Sequence, residues 1–154
     1  VHVQTVRLTG ERSMGYTGRC ACGAVQIEVS DNAKGVRQCW CRHCQQLAAG
    51  NATTNAFFLA EAISTTGEIQ WNSHKADSGN ELHWGFCPKC GSQLLAYSTA
   101  RPQFRVVRVG AIDRPHDLAP QAIIWTSEAP AWAKFDPDLP LFPAQPPAAP
   151  PKTD

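Results

Sequence analysis

Seven cysteines make up three clusters: Cys20-Ala21-Cys22, Cys39-Trp40-Cys41-Arg42-His43-Cys44 and Cys87-Pro88-Lys89-Cys90. Such short gaps are those of metal ligands, because thiolates at this spacing reach one cation from a single turn. Residues one apart, like Cys20 and Cys22, rarely have the geometry to bridge to each other, and an odd count argues further against a disulfide framework. Tetrahedral zinc takes four protein ligands in a closed structural site and three in an open catalytic one. Seven thiols divide into one of each.

The endings of the clusters say which thiols go together. Cys87-Pro88-Lys89-Cys90-Gly91 reads as a zinc knuckle, in which a glycine at positive φ turns the following amides back toward sulfur. Cys20-Ala21-Cys22-Gly23 ends in the same Cys-Gly pair. Cys20, Cys22, Cys87 and Cys90 are therefore expected to form one closed centre that staples two distant parts of the chain. Cys39, Cys41 and Cys44 remain. They are the candidate catalytic residues, as ligands of a second zinc whose fourth position is open to water or substrate. Zinc with three thiolates carries a formal charge of about −1 and is a weak Lewis acid, better suited to holding a soft substrate thiolate than to ionising water. That favours sulfur and carbonyl-adduct chemistry over peptide hydrolysis.

A second reading stays open at this point. If His43, His74 or His83 supplies the fourth ligand, the second site is closed as well. The chain is then a non-catalytic zinc scaffold or a sensor of redox or metal state. Other residues weigh less. Trp40, between two ligands in an extended segment, should point its ring away from the sulfurs. Trp71, Trp84, Trp125 and Trp132 read as core, and His2 and His116 as solvated surface. Arg42 and Lys89 are placed to meet substrate carboxylates, though surface charge is the default for each. Neither a Ser-His-Asp set, nor a paired-carboxylate motif, nor a phosphate-binding glycine loop rises above chance.

The elements that must position these thiols read as strands. Val25, Ile27 and Val29 alternate with Gln26 and Glu28, as in a half-buried strand. Asp31-Asn32-Ala33-Lys34-Gly35 is a turn, after which 36–41 is expected to return as the hairpin partner. A short helix is predicted over 44–49. Further strands are predicted at 56–59, 68–71, 82–86, 94–97, 104–109 and 122–125, and residues 1–15 read as an arm or short edge strand. The fold class is thus mainly β, with short antiparallel strands and little helix. A single domain over 1–137 is followed by a proline-rich tail over 138–154, tacked down by Leu141 and Phe142.

Composition narrows the function. The chain of 154 residues is 43% hydrophobic and 18% charged, with a net charge of +1. It lacks the basic excess that neutralises phosphates, so no nucleic-acid partner is expected. It has no apolar run of about 18 residues, so no membrane span is expected. Val1-His2-Val3-Gln4 lacks a secretory pattern, and thiols kept available for metal suit a cytoplasmic protein. The expected partner is a small molecule; a homodimer is compatible with a chain of this size.

The whole pattern resembles the glutathione-dependent formaldehyde-activating enzyme family, which includes the centromere protein V relatives. The resemblance runs through Gly18-Arg19-Cys20-Ala21-Cys22-Gly23, the Cys39–Cys44 cluster, Gly85-Phe86-Cys87-Pro88-Lys89-Cys90-Gly91-Ser92, Val109-Gly110-Ala111-Ile112-Asp113 and Ala129-Pro130-Ala131-Trp132. It implies a small β-tent. It implies a structural zinc on Cys20, Cys22, Cys87 and Cys90, and a second zinc on Cys39, Cys41 and Cys44 where a substrate thiol binds. The implied activity joins glutathione to formaldehyde, giving S-hydroxymethylglutathione, and is that of a carbon–sulfur lyase. Two zinc ions per chain are expected, the second more easily lost. This sequence departs from the family between the ligands of the second cluster: Trp40, Arg42, His43 and Gln45 replace the residues common there. It also lacks the arginine usual just before the third cluster, near Trp84, and has Ile123 where a histidine is frequent.

Overall fold

The computed structural model describes residues 15–76 and 78–147. The fold is mainly β, built from two sheets. The smaller sheet holds β1 (Tyr16–Arg19), β2 (Gln26–Val29) and β5 (Ile63–Thr66), antiparallel in the order β1-β2-β5. The larger sheet holds β3 (Gly35–Cys39), β4 (Thr53–Leu59), β6 (Gln70–Lys75), β7 (Glu81–Phe86), β8 (Gln93–Ser98), β9 (Phe104–Arg108) and β10 (Ala122–Ile124). Its order is β10-β3-β4-β9-β8-β7-β6. Only β10 beside β3 is parallel among these neighbours. A six-residue helix, α1 (Arg42–Leu47), follows β3.

Alternation decides what each strand buries. β2 turns Ile27 and Val29 inward and leaves Gln26 and Glu28 in water. These pack with Val25 against Val36, Ala56, Phe58, Leu95 and Val107 of the large sheet, forming the main core. Each such side chain contributes roughly 1.5–3 kcal/mol when fully buried. The opposite face of the large sheet differs in kind. Where β4 sends Ala56 and Phe58 to the core, its alternate residues Thr53 and Asn55 face the other way, yet both are buried. Cys39 lies opposite Thr53 in the register, and Arg108 opposite Asn55. The helix and the Cys39–Cys44 loop cover this polar face.

Several expectations are corrected. The segment after the turn at 31–35 does not pair with β2; β3 joins β4 and β10 in the other sheet. Both β2 and β3 have apolar faces, and these meet across the core instead of along one ladder. Strands β1 and β5 were not foreseen, the last predicted strand ends at Ile124, and the helix begins two residues before 44. Trp71 and Trp132 are exposed, at 38% and 62%, because β6 is an exposed edge strand and Trp132 lies on the surface of the C-terminal segment. His116 is half-buried, its Nδ1 accepting from the Leu118 amide at 3.2 Å. The stretch 140–142 runs beside β10: Ile123 N donates to the Pro140 carbonyl and Phe142 N to the Ile123 carbonyl, at 3.0 and 2.9 Å. His2 and the arm over 1–14 lie outside the described residues, as does 148–154. Among the described residues no helix is long and apolar enough to cross a membrane.

Candidate metal centres

Cys20, Cys22, Cys87 and Cys90 come together where β1 ends and where β7 turns into β8, their sulfurs all within 4.8 Å of one another. Cys20 and Cys87 are buried, Cys22 and Cys90 exposed. The sulfurs of Cys20 and Cys22 are 3.6 Å apart and those of Cys22 and Cys87 3.8 Å. A tetrahedron with zinc–sulfur bonds of about 2.3 Å has edges of about 3.8 Å. The donor set and its spacing therefore fit a tetrahedral thiophilic cation.

The backbone sets this geometry. Gly23 and Gly91 sit at φ 80° and 76°. Nothing lies within 4 Å of where a Cβ would stand at either, so the backbone angle, not space, calls for glycine. Gly91 N reaches the Cys87 carbonyl at 2.8 Å, and Val25 N donates to the Cys20 sulfur at 3.2 Å. Ser92 joins the two knuckles, its hydroxyl accepting from Ala21 N at 2.9 Å and lying 3.2 Å from the Cys90 sulfur. The Ser92 hydroxyl and amide, with the Cys22 amide, hold Cys90 down to about 5. The Ala24 amide favours the Cys22 thiolate, but neighbouring Cys20, burial and the other thiols outweigh it and push Cys22 up to about 11.

The second group is Cys39, Cys41 and Cys44, again with sulfurs within 4.8 Å of one another. Among the described residues no histidine or carboxylate joins either group at that distance. Cys39 ends β3, and Cys41 caps the helix, its sulfur accepting from Cys44 N at 3.4 Å. Cys39 and Cys44 are buried and Cys41 half-buried. So close, the three thiols cannot all ionise without a cation. Hydrogen bonds from Cys39 and Cys41, and then from Thr53, hold Cys44 down to about 2. The Cys41 and Cys44 sulfurs and burial drive Cys39 far above the ordinary thiol range. Cys41 is favoured as thiolate by Cys39 but pushed up to about 11 by Cys44 and burial. A compact, buried set of three soft donors that cannot share its charge is the chemistry of a thiophilic metal site, and the residues fit zinc.

His43 lies outside this group of thiols. Its ring meets Trp84 edge-on at 4.5 Å and stacks on His74 at 5.7 Å, between centroids. Burial, helped by His74 and Arg108, lowers its affinity for a proton despite attraction to Cys44. His83 is elsewhere, stacked on Tyr97 at 4.5 Å. Trp40 is buried away from the thiols, packed on Trp132 and Phe135 at 6.2 and 6.1 Å. Arg42 and Lys89 are exposed.

Four supporting residues, Thr53, Asn55, Arg108 and Glu128, lie outside the candidates that the sequence offers. Glu128 accepts from Arg42 N at 2.5 Å, and Gln45 Nε2 donates to the Trp40 and Glu128 carbonyls at 2.7 and 2.9 Å, so the loop is pinned from the C-terminal segment. Arg108 donates to Asn55 Oδ1, and Asn55 Nδ2 to Thr53 Oγ1 at 3.0 Å. With the Thr53 hydroxyl against Cys44, this row links a buried guanidinium to a ligand sulfur. One signal for Arg108 was present: it is a charge inside the apolar stretch Val106-Val107-Arg108-Val109.

The model of the glutathione-dependent formaldehyde-activating enzymes matches residues 15–128, which carry all three cysteine clusters and both sheets. The chain belongs to this family. No curated relative matches it. A solved crystal structure of a Rhodobacter sphaeroides protein is similar in fold, with a TM-score of 0.51 and 21% identity, over 65% of this chain and 90% of that one. The family's description, formaldehyde activation dependent on glutathione, associates the chain with enzymes and sits with the two thiol groups able to hold metal.

Proposed function

We propose that the chain is a zinc-dependent, carbon–sulfur lyase-like enzyme acting on a thiol–aldehyde adduct of the S-hydroxymethylglutathione type, or on a related small carbonyl or imine compound. The observation that carries this reading is the three-thiol group, which stands without a fourth histidine, carboxylate or cysteine donor among the described residues. Cys39, Cys41 and Cys44 would hold the catalytic zinc, and Cys20, Cys22, Cys87 and Cys90 the structural one. Bound zinc would supply a position for a substrate thiolate, kept soft by the surrounding sulfurs. The protein's share is orientation. His43, His74 and Trp84 form an aromatic wall near the thiols. Against it an adduct would be held for bond making or breaking, and positioning of this kind supplies the rate.

A sensor reading draws on the same thiols: three free cysteines with sulfurs within 4.8 Å of one another, Cys41 among them half-buried, could respond to metal or oxidant. One experiment separates the two. Glutathione and formaldehyde are incubated with chain carrying two zinc ions, with chain stripped at the second site, and with chain reconstituted. The enzyme reading expects adduct formation or breakdown that is lost on stripping and regained with zinc. Turnover equal to the uncatalysed rate in all three, across aldehydes and imines as well, would leave the sensor.

A further inference from the structure

We propose that Arg108 is a positioning residue of the second metal centre: its fixed positive charge balances the three thiolates, so that the centre can accept an anionic fourth ligand. The inference rests on Cys39, Cys41 and Cys44 holding a metal, as proposed above.

The geometry carries it. Arg108 is the one buried cation among the described residues, 9% exposed at the end of β9. Burying a guanidinium is costly unless anions compensate. Its carbonyl partner is Asn55, a neutral group, and its Nε has no partner at all. The groups able to carry negative charge that face it are the sulfurs of Cys44, Cys39 and Cys41. The hydrogen-bonded row Arg108–Asn55–Thr53 ends on Cys44, so the guanidinium is fixed in place relative to that sulfur.

Charge arithmetic gives the consequence. A dication with three thiolates is −1; with Arg108 the assembly is neutral. A thiolate arriving as fourth ligand then leaves −1 instead of −2. Among the described residues the four-cysteine centre has no buried cation beside it: Arg19 and Lys89, each next to one of its cysteines in sequence, are exposed, and Arg19 is bonded to Asp113 at 3.1 Å. That centre is already closed by its own fourth thiolate, with no incoming anion to accommodate.

The test uses full-length Arg108→Gln, Arg108→Lys and Asn55→Ala. Zinc affinity at each centre is read by competition with a chromogenic chelator. Binding of 2-mercaptoethanol is read from the thiolate-to-cobalt absorption of the cobalt-substituted second centre. In Arg108→Gln, second-centre zinc affinity should fall about 10- to 100-fold, the range for loss of an outer-shell partner. Mercaptoethanol affinity should fall at least as far, and the first centre should be unchanged. Arg108→Lys should recover most of both; Asn55→Ala, which frees the guanidinium but keeps its charge, should lose several-fold. Arg108→Gln matching wild type within twofold, or Lys failing as badly as Gln, overturns the proposal. If Arg108→Gln loses the first centre too and does not fold, Asn55→Ala decides, and an unchanged second centre there overturns it. Wild type taking up one zinc only would overturn both this inference and the functional reading; two zinc ions with an indifferent Arg108 would overturn this inference alone.

Discussion

The two thiol groups are built in opposite ways. The four-cysteine centre takes its ligands from distant parts of the chain, 65 positions apart between Cys22 and Cys87, and its support from adjoining amides and Ser92. The three-cysteine centre takes its ligands from one short loop and its support from distant side chains: Thr53, Asn55, Arg108 and Glu128. The first arrangement would couple metal to fold, because no one local segment supplies all four thiols. The second would couple metal to surroundings, because its thiols lie in one short segment that distant side chains hold in place.

The contrast can be broken most forcefully at Cys87. Its sulfur is fully buried where β7 leaves the large sheet, and Cys87→Ser should remove the staple. Zinc-finger-like centres are worth on the order of 10 kcal/mol of folding free energy. Loss of a cooperative thermal transition is therefore expected, followed by near-ultraviolet circular dichroism. A Cys87→Ser chain that melts like wild type would refute the division of labour. Cys41→Ser should behave differently: zinc per chain should fall from two to one by elemental analysis, the melting transition should persist, and turnover of the adduct should drop at least about 100-fold. A pH profile tests the second group by itself. With Cys39 held far up and Cys41 at about 11, metal uptake at the second group must expel two protons near neutrality, while Cys44, at about 2, has none to give. Lowering pH therefore weakens binding. Between pH 6 and 8 affinity should change by about 100-fold per unit at most, measured by chelator competition; a flat profile would mean the thiols are already ionised.

How much was legible in the sequence follows the same division. Spacing and the Cys-Gly endings divided the seven thiols into the same four and three that the fold brings together, because a knuckle is local and its glycines are demanded by φ. Strand identity was mostly legible from alternation, but the partner of β3 was not. Two amphipathic strands joined by a turn can pair side by side or face each other across a core, and Val36 and Ile27 do the latter. Trp71 and Trp132 misled because side-chain size speaks for burial only where an element has both neighbours, and β6 is an edge. Thr53, Asn55 and Glu128 were illegible for another reason: polar residues within a strand or in a turn look like solvated surface until the loop that covers them is known.

The parallel pairing of β10 with β3 has a bearing on the order in which the protein is made. When Cys90 has been added, both knuckles are complete in the chain. At that moment Arg108, β10, Glu128 and the stretch 140–142 that lines β10 are still to be synthesised. The Cys39–Cys44 loop is thus made early but is seated by segments made later, so its thiols gain their lasting surroundings only after the rest of their own loop is complete.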